Sequence, residues 1–147
     1  MLETCSNEYD MTIDTISDSL PNGFHDADIC SIHIDYVKEE ALFLIDIDLS
    51  SPEEKVEAPS RQGELKLTGL LYCVIEPPSG SYSKEYICGE DKLWIVSDSS
   101  DFSVLKNCPK LPEPLPDNSF RHWFFISSHN CFIYVAAMDA SFRWKGE

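Results

Sequence analysis

Two stretches in which apolar and polar residues alternate strictly follow Asp28 and predict a β-hairpin. The stretch 30–36 carries apolar side chains at its even positions, and the stretch 43–49 carries them at its odd positions. Because residues two apart share one face of a strand, each stretch has an apolar face and a more polar face. The short polar break Lys38–Glu40 joins the two stretches, which is typical of a hairpin connection.

A second hairpin is predicted near the end of the chain. The stretches 120–126 and 131–138 are apolar on both faces and flank the polar residues 127–130, a pattern typical of strands in the centre of a sheet. Further strands are predicted at 65–73, with a bulge at Gly69, and at 86–89, 93–97 and 142–144. Helical turns are predicted within 50–62 and 101–105, and the proline-rich stretch 107–118 predicts a surface connection.

Together these elements predict a mainly β protein. We expect a single-domain antiparallel barrel or sandwich of about seven strands, with at most one or two short helices. Residues 1–19 are polar and predict a loosely attached N-terminal segment, and residues 20–147 form the β-rich domain. The chain of 147 residues is long enough to bury a core without disulfide bonds.

The chain is strongly acidic, with 11 Lys and Arg residues against 26 Asp and Glu residues and a net charge of −15. Nucleic acid and anionic membranes are therefore not expected as partners, because clustered cations bind both. A basic protein is the partner that this charge favours. The acidic N-terminal residues lack the pattern of an export signal, and the six widely spaced cysteines are expected to be reduced thiols in the cytoplasm.

Carboxylates of the first hairpin and of the residues before it form the main candidate binding surface. They are Asp28, Asp35, Glu39, Glu40, Asp46 and Asp48. Because like charges side by side on strands repel one another, such a group faces either water or a cation. The pattern therefore predicts a solvated surface or a docking surface for a basic protein, and no calcium-loop motif accompanies it.

A second candidate binding set combines aromatic and cationic residues: Arg121, His122, Trp123 and Trp144. Trp and Arg side chains often anchor interfaces, and they also form cation–π pairs within a domain. Three interpretations are open, namely packing within the domain, a contact patch, and a ligand cavity that Tyr134 also lines.

His25 and Asp26 are the candidate catalytic residues. A histidine beside a carboxylate has the parts of a general base with its orienting group. Adjacent residues point to opposite sides of an extended chain, so only a turn brings the two side chains together. The alternative is that both side chains fix the turn before the first strand. The sequence predicts no metal site and no cofactor, and it contains no familiar catalytic motif.

The sequence Leu-Pro-Asn-Gly-Phe-His-Asp-Ala-Asp at 20–28, followed at once by an alternating strand, resembles the opening of a group of small uncharacterised bacterial β-rich proteins. It is similar to the opening of immunity proteins of polymorphic-toxin systems. The sequences 69–71, 76–78 and 120–125 fit the same resemblance, which covers residues 20–145. The resemblance implies a compact β domain and permits an inhibitor role, and it supplies no catalytic residues.

The leading hypothesis is a non-catalytic, immunity-protein-like interaction protein whose acidic face binds a basic protein such as a toxin. One alternative is a β-barrel that binds a small ligand. The other is a hydrolase or metal enzyme that uses His25 and Asp26. The sequence leaves the oligomeric state open.

Overall fold

A computed structural model of the protein describes residues 11–50, 59–78 and 93–146. In these ranges it contains a short helix α1 at Ile13–Asp18 and a 3₁₀ turn at Phe102–Val104. The six strands are β1 (Asp28–Asp35), β2 (Glu40–Ile47), β3 (Arg61–Ile75), β4 (Leu93–Ser99), β5 (Phe120–Ile126) and β6 (Cys131–Trp144). The predicted mainly β architecture is therefore confirmed.

The strands form one antiparallel sheet that closes into a barrel in the order β1-β2-β3-β6-β5-β4. The closing pair is short, because β1 and β4 are in register only at 28–29 and 93–94 within the described residues. Main-chain hydrogen bonds that join Asp26 and Ala27 to Ile95, at 2.9 and 2.8 Å, extend this seam. The closure decides between the barrel and the sandwich that the sequence left open.

The apolar face of the second alternating stretch lies inside the barrel, whereas in the first stretch Ile32 and Ile34 pack against the core and Tyr36 is 83% exposed. Phe43, Ile45 and Ile47 of β2 are fully buried, as are Leu65 and Leu67 of β3. The register places Leu65 directly opposite Phe43. Burial of one face of each strand is the main stabilising contribution in such a sheet, and it explains the period-two pattern of β2.

Helix α1 belongs to the same core. Thr12 and Thr15 form a capping box at its start, which satisfies main-chain N–H groups that the first turn leaves unpaired. Ile13 and Ile16 are buried in the core cluster. The prediction of a loosely attached segment is therefore wrong for Ile13–Asp18. Residues 1–10 lie outside the described residues.

A second, smaller apolar cluster lies on the opposite face of β5 and β6. Trp123 and Tyr134 are buried there, whereas Phe124 and Ile133 beside them in sequence belong to the barrel core. The connection between β4 and β5 packs on this cluster through its apolar side chains Phe102, Leu105, Leu111 and Leu115. This cover explains why both strands are apolar on both faces.

Several details differ from the predicted elements. Residues 142–144 continue β6 and form no separate strand, and the predicted strand 86–89 lies outside the described residues. The helical turn predicted at 101–105 is confirmed by the 3₁₀ turn, whereas most of 50–62 is not described. Gly69 has a φ of 61°, and the register between β3 and β6 shifts just after it, between Leu70 and Tyr72.

Candidate interaction surface

The acidic residues of the first hairpin divide between its two ends. Where β1 begins and β2 ends, Asp28 lies opposite Asp46 on one side and opposite Trp94 of β4 on the other. Next to the connecting turn, Asp35 lies opposite Glu40. We use the name aspartate patch for Asp26, Asp28, Asp46 and Asp48, which lie at or just beyond the first of these ends.

An aromatic ring contacts one carboxylate of the aspartate patch and lies in register with another, Asp28. The indole Nε1 of Trp94 donates a hydrogen bond to Asp26 Oδ1 at 3.2 Å, and the side chain is 43% exposed. Gln62 Nε2 donates to Asp46 Oδ1 at 3.1 Å. Carboxylates and the face of an indole both attract cations. This combination is suited to the Lys or Arg side chain of another molecule.

Asp48 is held in the ionised form by its neighbours. Its Oδ1 accepts a hydrogen bond from the main-chain N–H of Ser50 at 2.9 Å. This bond is the principal reason that the pKa of Asp48 lies below its ordinary value. Asn22 Nδ2 adds a longer contact of 3.4 Å to Oδ2. Asp48 therefore keeps its negative charge at neutral pH.

The carboxylates at the other end of the hairpin have structural contacts. Asp35 Oδ1 accepts hydrogen bonds from two main-chain N–H groups of the connecting turn, at 3.0 and 3.1 Å. Glu40 forms an ion pair with Lys66 at 3.2 Å. Glu39 is exposed and has a left-handed backbone, with a φ of 54°. The predicted acidic surface is thus not uniform, because Asp35 stabilises the turn and Glu40 forms an ion pair between strands of the sheet.

A groove of about 580 Å³ on the outer side of β1, β2, β3 and β6 has balanced charge. Its walls carry three cations and three carboxylates. Two of the cations are paired across the strands, Lys66 with Glu40 at 3.2 Å and Arg143 with Glu64 at 2.6 Å. This region does not extend the negative potential of the aspartate patch.

His25 and Asp26 converge because the chain turns between them. Asp26 has a φ of 63°, and His25 Nε2 lies 3.6 Å from Asp26 Oδ2. His25 Nδ1 lies 2.5 Å from the main-chain oxygen of Val96, and since a carbonyl oxygen only accepts, this nitrogen is the donor. The pair therefore anchors the turn before β1 to β4. The described residues contain no group of three or more His, Cys, Asp or Glu side chains placed to hold a metal ion.

The structure does not bring the second candidate set together on one surface. The guanidinium of Arg121 lies 4.3 Å from the ring centroid of Phe102, and that of Arg61 lies 4.7 Å from the ring of Trp144. Trp123 is buried in the outer cluster, where its Nε1 donates to a main-chain oxygen at 2.9 Å. These contacts fit the interpretation of packing within the domain.

His122 lies on the face of β5 opposite to Trp123 and is only 1% exposed. Its Nε2 lies 2.6 Å from Asp98 Oδ2 of β4, and its Nδ1 lies 3.7 Å from Asp14 Oδ1 of α1. Ser100 Oγ donates to the same Asp14 carboxylate at 2.5 Å. The imidazole thus connects α1 to the barrel. It shares no cavity with Trp123 or Tyr134, which lie in the outer cluster.

Two of these features were not found from the sequence. Trp94 lies in the apolar run 93–96, which hides its orientation, although the period of two predicts that it faces away from Ile95. The partners of His122 are 24 and 108 residues away along the chain, and no local sequence pattern predicts them.

Comparisons with known proteins return no relatives. No protein-family model, no curated protein and no solved structure matches the chain. In the described part of the chain, no helix has the length and apolar character that crossing a membrane requires.

Proposed function

We propose that the protein is a non-catalytic interaction protein that binds a basic protein through the aspartate patch. The observation that carries this proposal is the partly exposed ring of Trp94, which donates a hydrogen bond to Asp26 and lies opposite Asp28, while Asp46 lies opposite Asp28 on the next strand. Carboxylates around an aromatic ring provide both the charge and the apolar contact that a Lys or Arg side chain recognises.

The net charge supports the same partner class. With −15 on the whole chain, a basic protein is attracted over distances longer than any single contact. Such attraction raises the association rate and selects the partner, while buried contacts set most of the final affinity. Trp94 is the residue type that most often supplies such an anchor at an interface.

The resemblance of residues 20–28 to the opening of immunity proteins adds a role to this proposal, the inhibition of a basic toxin. The cytoplasm is the compartment proposed for this role. Cys73, Cys108 and Cys131 of the described residues carry free thiols, which suits a reducing compartment.

The test compares two variants of equal net charge. The patch variant carries Asp26→Asn, Asp28→Asn and Asp46→Asn. The control variant carries Asp18→Asn, Glu113→Gln and Asp117→Asn, three exposed acids outside the aspartate patch. Both have a net charge of −12, since −15 + 3 = −12.

Immobilised wild-type protein is used to capture partners from the cells that produce it, and each captured protein is then purified and its binding kinetics measured. We expect a basic protein whose association rate falls about tenfold or more for the patch variant, and clearly less for the control variant. The rate for the wild-type protein should also fall as salt is added. An acidic partner, or equal rates for the two variants, contradicts the proposal.

A further inference from the structure

The turn between β1 and β2 presents two apolar side chains to solvent. Tyr36 is 83% exposed and Val37 is 94% exposed. Single exposed apolar residues are common on protein surfaces, whereas large contiguous apolar patches mark contact sites. We use the name hairpin tip for residues 36–39.

The hairpin tip is held in one conformation. Asp35 Oδ1 accepts hydrogen bonds from the main-chain N–H groups of Val37 and Lys38. The main-chain oxygen of Glu39 accepts a hydrogen bond of 2.8 Å from Leu70 of β3. The tip is therefore fixed to the barrel before any contact forms, and binding costs little additional conformational entropy.

A groove of about 220 Å³, with both apolar and polar groups in its walls, lies directly beside the hairpin tip. It is lined by Ile34, Tyr36, Glu39, Leu70, Leu71, Tyr72 and Cys73. Most of these side chains are only partly buried. The groove has room for one aliphatic side chain, and Tyr36 forms the wall that it shares with the tip.

We propose that the hairpin tip and this groove form a self-association surface, in which Val37 of each copy enters the groove of a second copy of this chain. A two-fold contact requires that the projection and the groove that receives it lie on the same patch. The hairpin tip meets this requirement, because Tyr36 belongs to both. The proposal goes beyond the proposed function and uses the opposite end of the hairpin.

The charges around the tip fit a second copy. Lys38 and Glu39 follow the exposed Val37 and carry opposite signs, so the tip offers both a cation and a carboxylate to the same tip of a second copy. The aspartate patch lies at the far end of the hairpin, where strand pairing places Asp28 beside Asp46. Its charges are thus kept away from the contact.

The contact is small and the two copies repel each other at long range. Interfaces below about 1,200 Å² are typically weak, and each copy carries a charge of −15. Salt screens this repulsion over distances beyond about 10 Å at 0.1 M. Self-association should therefore strengthen with salt, whereas binding to a basic partner weakens with salt.

The experiment is sedimentation equilibrium of the purified full-length chain. We expect a monomer–dimer equilibrium with a dissociation constant between about 10 µM and about 1 mM, which tightens several-fold between about 0.05 M and about 0.5 M NaCl. The variant Val37→Ser should weaken the dimer tenfold or more. Val104→Ser, which alters another exposed valine outside the tip and groove, should leave the equilibrium unchanged.

Circular dichroism confirms that the variants fold. A wild-type chain that is monomeric at about 1 mM in high salt overturns the proposal, and so does a dimer that Val37→Ser leaves intact. Loss of dimerisation in Val37→Ser with normal binding of a basic partner supports self-association at the tip separately from the proposed function. Failure to find a basic partner leaves this result unaffected.

Discussion

The thiols in this protein differ because the fold places them differently. Burial raises the pKa of Cys73 and of Cys131 to about 11 from an ordinary value of 9.0, and the Glu76 carboxylate adds to the rise at Cys131. Cys108 is exposed on the connection between β4 and β5. Since the thiolate is the reactive form, Cys73 and Cys131 behave as packing residues at neutral pH.

The raised pKa of Cys73 makes stability depend on pH in the alkaline range. Below pH 9 the thiol is protonated in both the folded and unfolded states, but between pH 9 and 11 only the unfolded state readily loses the proton. The free energy of unfolding should therefore fall over this range, by about 2 kcal/mol for Cys73. Urea unfolding at several pH values measures it.

The free energy of unfolding of Cys73→Ala should decline less steeply with rising pH than that of the wild-type protein. The control Cys108→Ala, which removes an exposed thiol, should decline as steeply as the wild-type protein. Tyr134, whose pKa burial also raises, contributes equally to all three proteins and cancels in the comparison. If Cys73→Ala and the wild-type protein decline in parallel, burial of the thiol is not the cause.

At the scale of elements, α1 depends on the barrel for its stability. A helix of six residues is too short to be stable alone in water. Its two buried isoleucines hold it on the core, and Asp14 Oδ1 lies 3.7 Å from His122 Nδ1. The other ring nitrogen of His122, Nε2, lies 2.6 Å from Asp98 Oδ2 of β4. Side chains of the helix, β4 and β5 therefore meet at one imidazole.

Truncating the buried face of α1 should destabilise the whole domain. Ile16→Ala is expected to lower the free energy of unfolding by about 2–4 kcal/mol, because it removes fully buried methyl groups. Asp18→Ala on the exposed side of the same helix should change it by less than about 0.5 kcal/mol. Urea denaturation measures the free energy of unfolding of both variants. Equal changes in the two variants would contradict the packing of α1 against the core.

At the scale of the whole molecule, the aspartate patch and the hairpin tip lie at opposite ends of one hairpin. The patch contributes carboxylates around Trp94, and the tip contributes two exposed apolar side chains. Between them, the groove on the outer side of β1, β2, β3 and β6 pairs its charges across the strands. Two surfaces of different chemistry are thus separated by an electrically balanced region.

The charge of −15 should make the folded state less stable at low ionic strength. Like charges repel more strongly in the compact state, and salt screens them, so the melting temperature should rise as NaCl increases from about 0.02 M to about 0.5 M. Scanning calorimetry at neutral pH measures this shift. The control variant with a net charge of −12 should show a smaller rise, and a melting temperature that falls with salt would show that ion pairs such as Arg143 with Glu64 dominate instead.

The strand pattern was predictable because it arises from local backbone geometry. The odd apolar positions of β2, the strand Phe120–Ile126 and the helical turn after Asp101 appear where the sequence predicts them. The prediction that Tyr36 shares the inner face of the first strand is wrong, because Tyr36 is 83% exposed. Asn130 adopts a positive φ at the predicted second hairpin turn. In each case the residue types within a few positions are enough to define the conformation.

The candidate site was predicted in part. Asp46 lies on the outer face of the first hairpin as the alternation requires, since Phe43, Ile45 and Ile47 take the inner one. Asp28 shares that outer face because the register shifts between Ile29 and Ser31. The sequence did not show that Glu40 is paired with Lys66, because that pairing needs the register between β2 and β3. For the same reason it grouped His122 with Trp123, although the two side chains lie on opposite faces of β5.

The sequence by itself thus determined the strands, the inner face of β2 and the acidic charge, because side-chain period and composition are local properties. Only the tertiary structure decided the closure of the barrel through Asp28 and Trp94 and the burial of α1. It also decided that Glu40 pairs with Lys66 and that Asp26 accepts a hydrogen bond from Trp94. These outcomes depend on contacts between residues that lie tens of positions apart, and such contacts form only when the sheet closes.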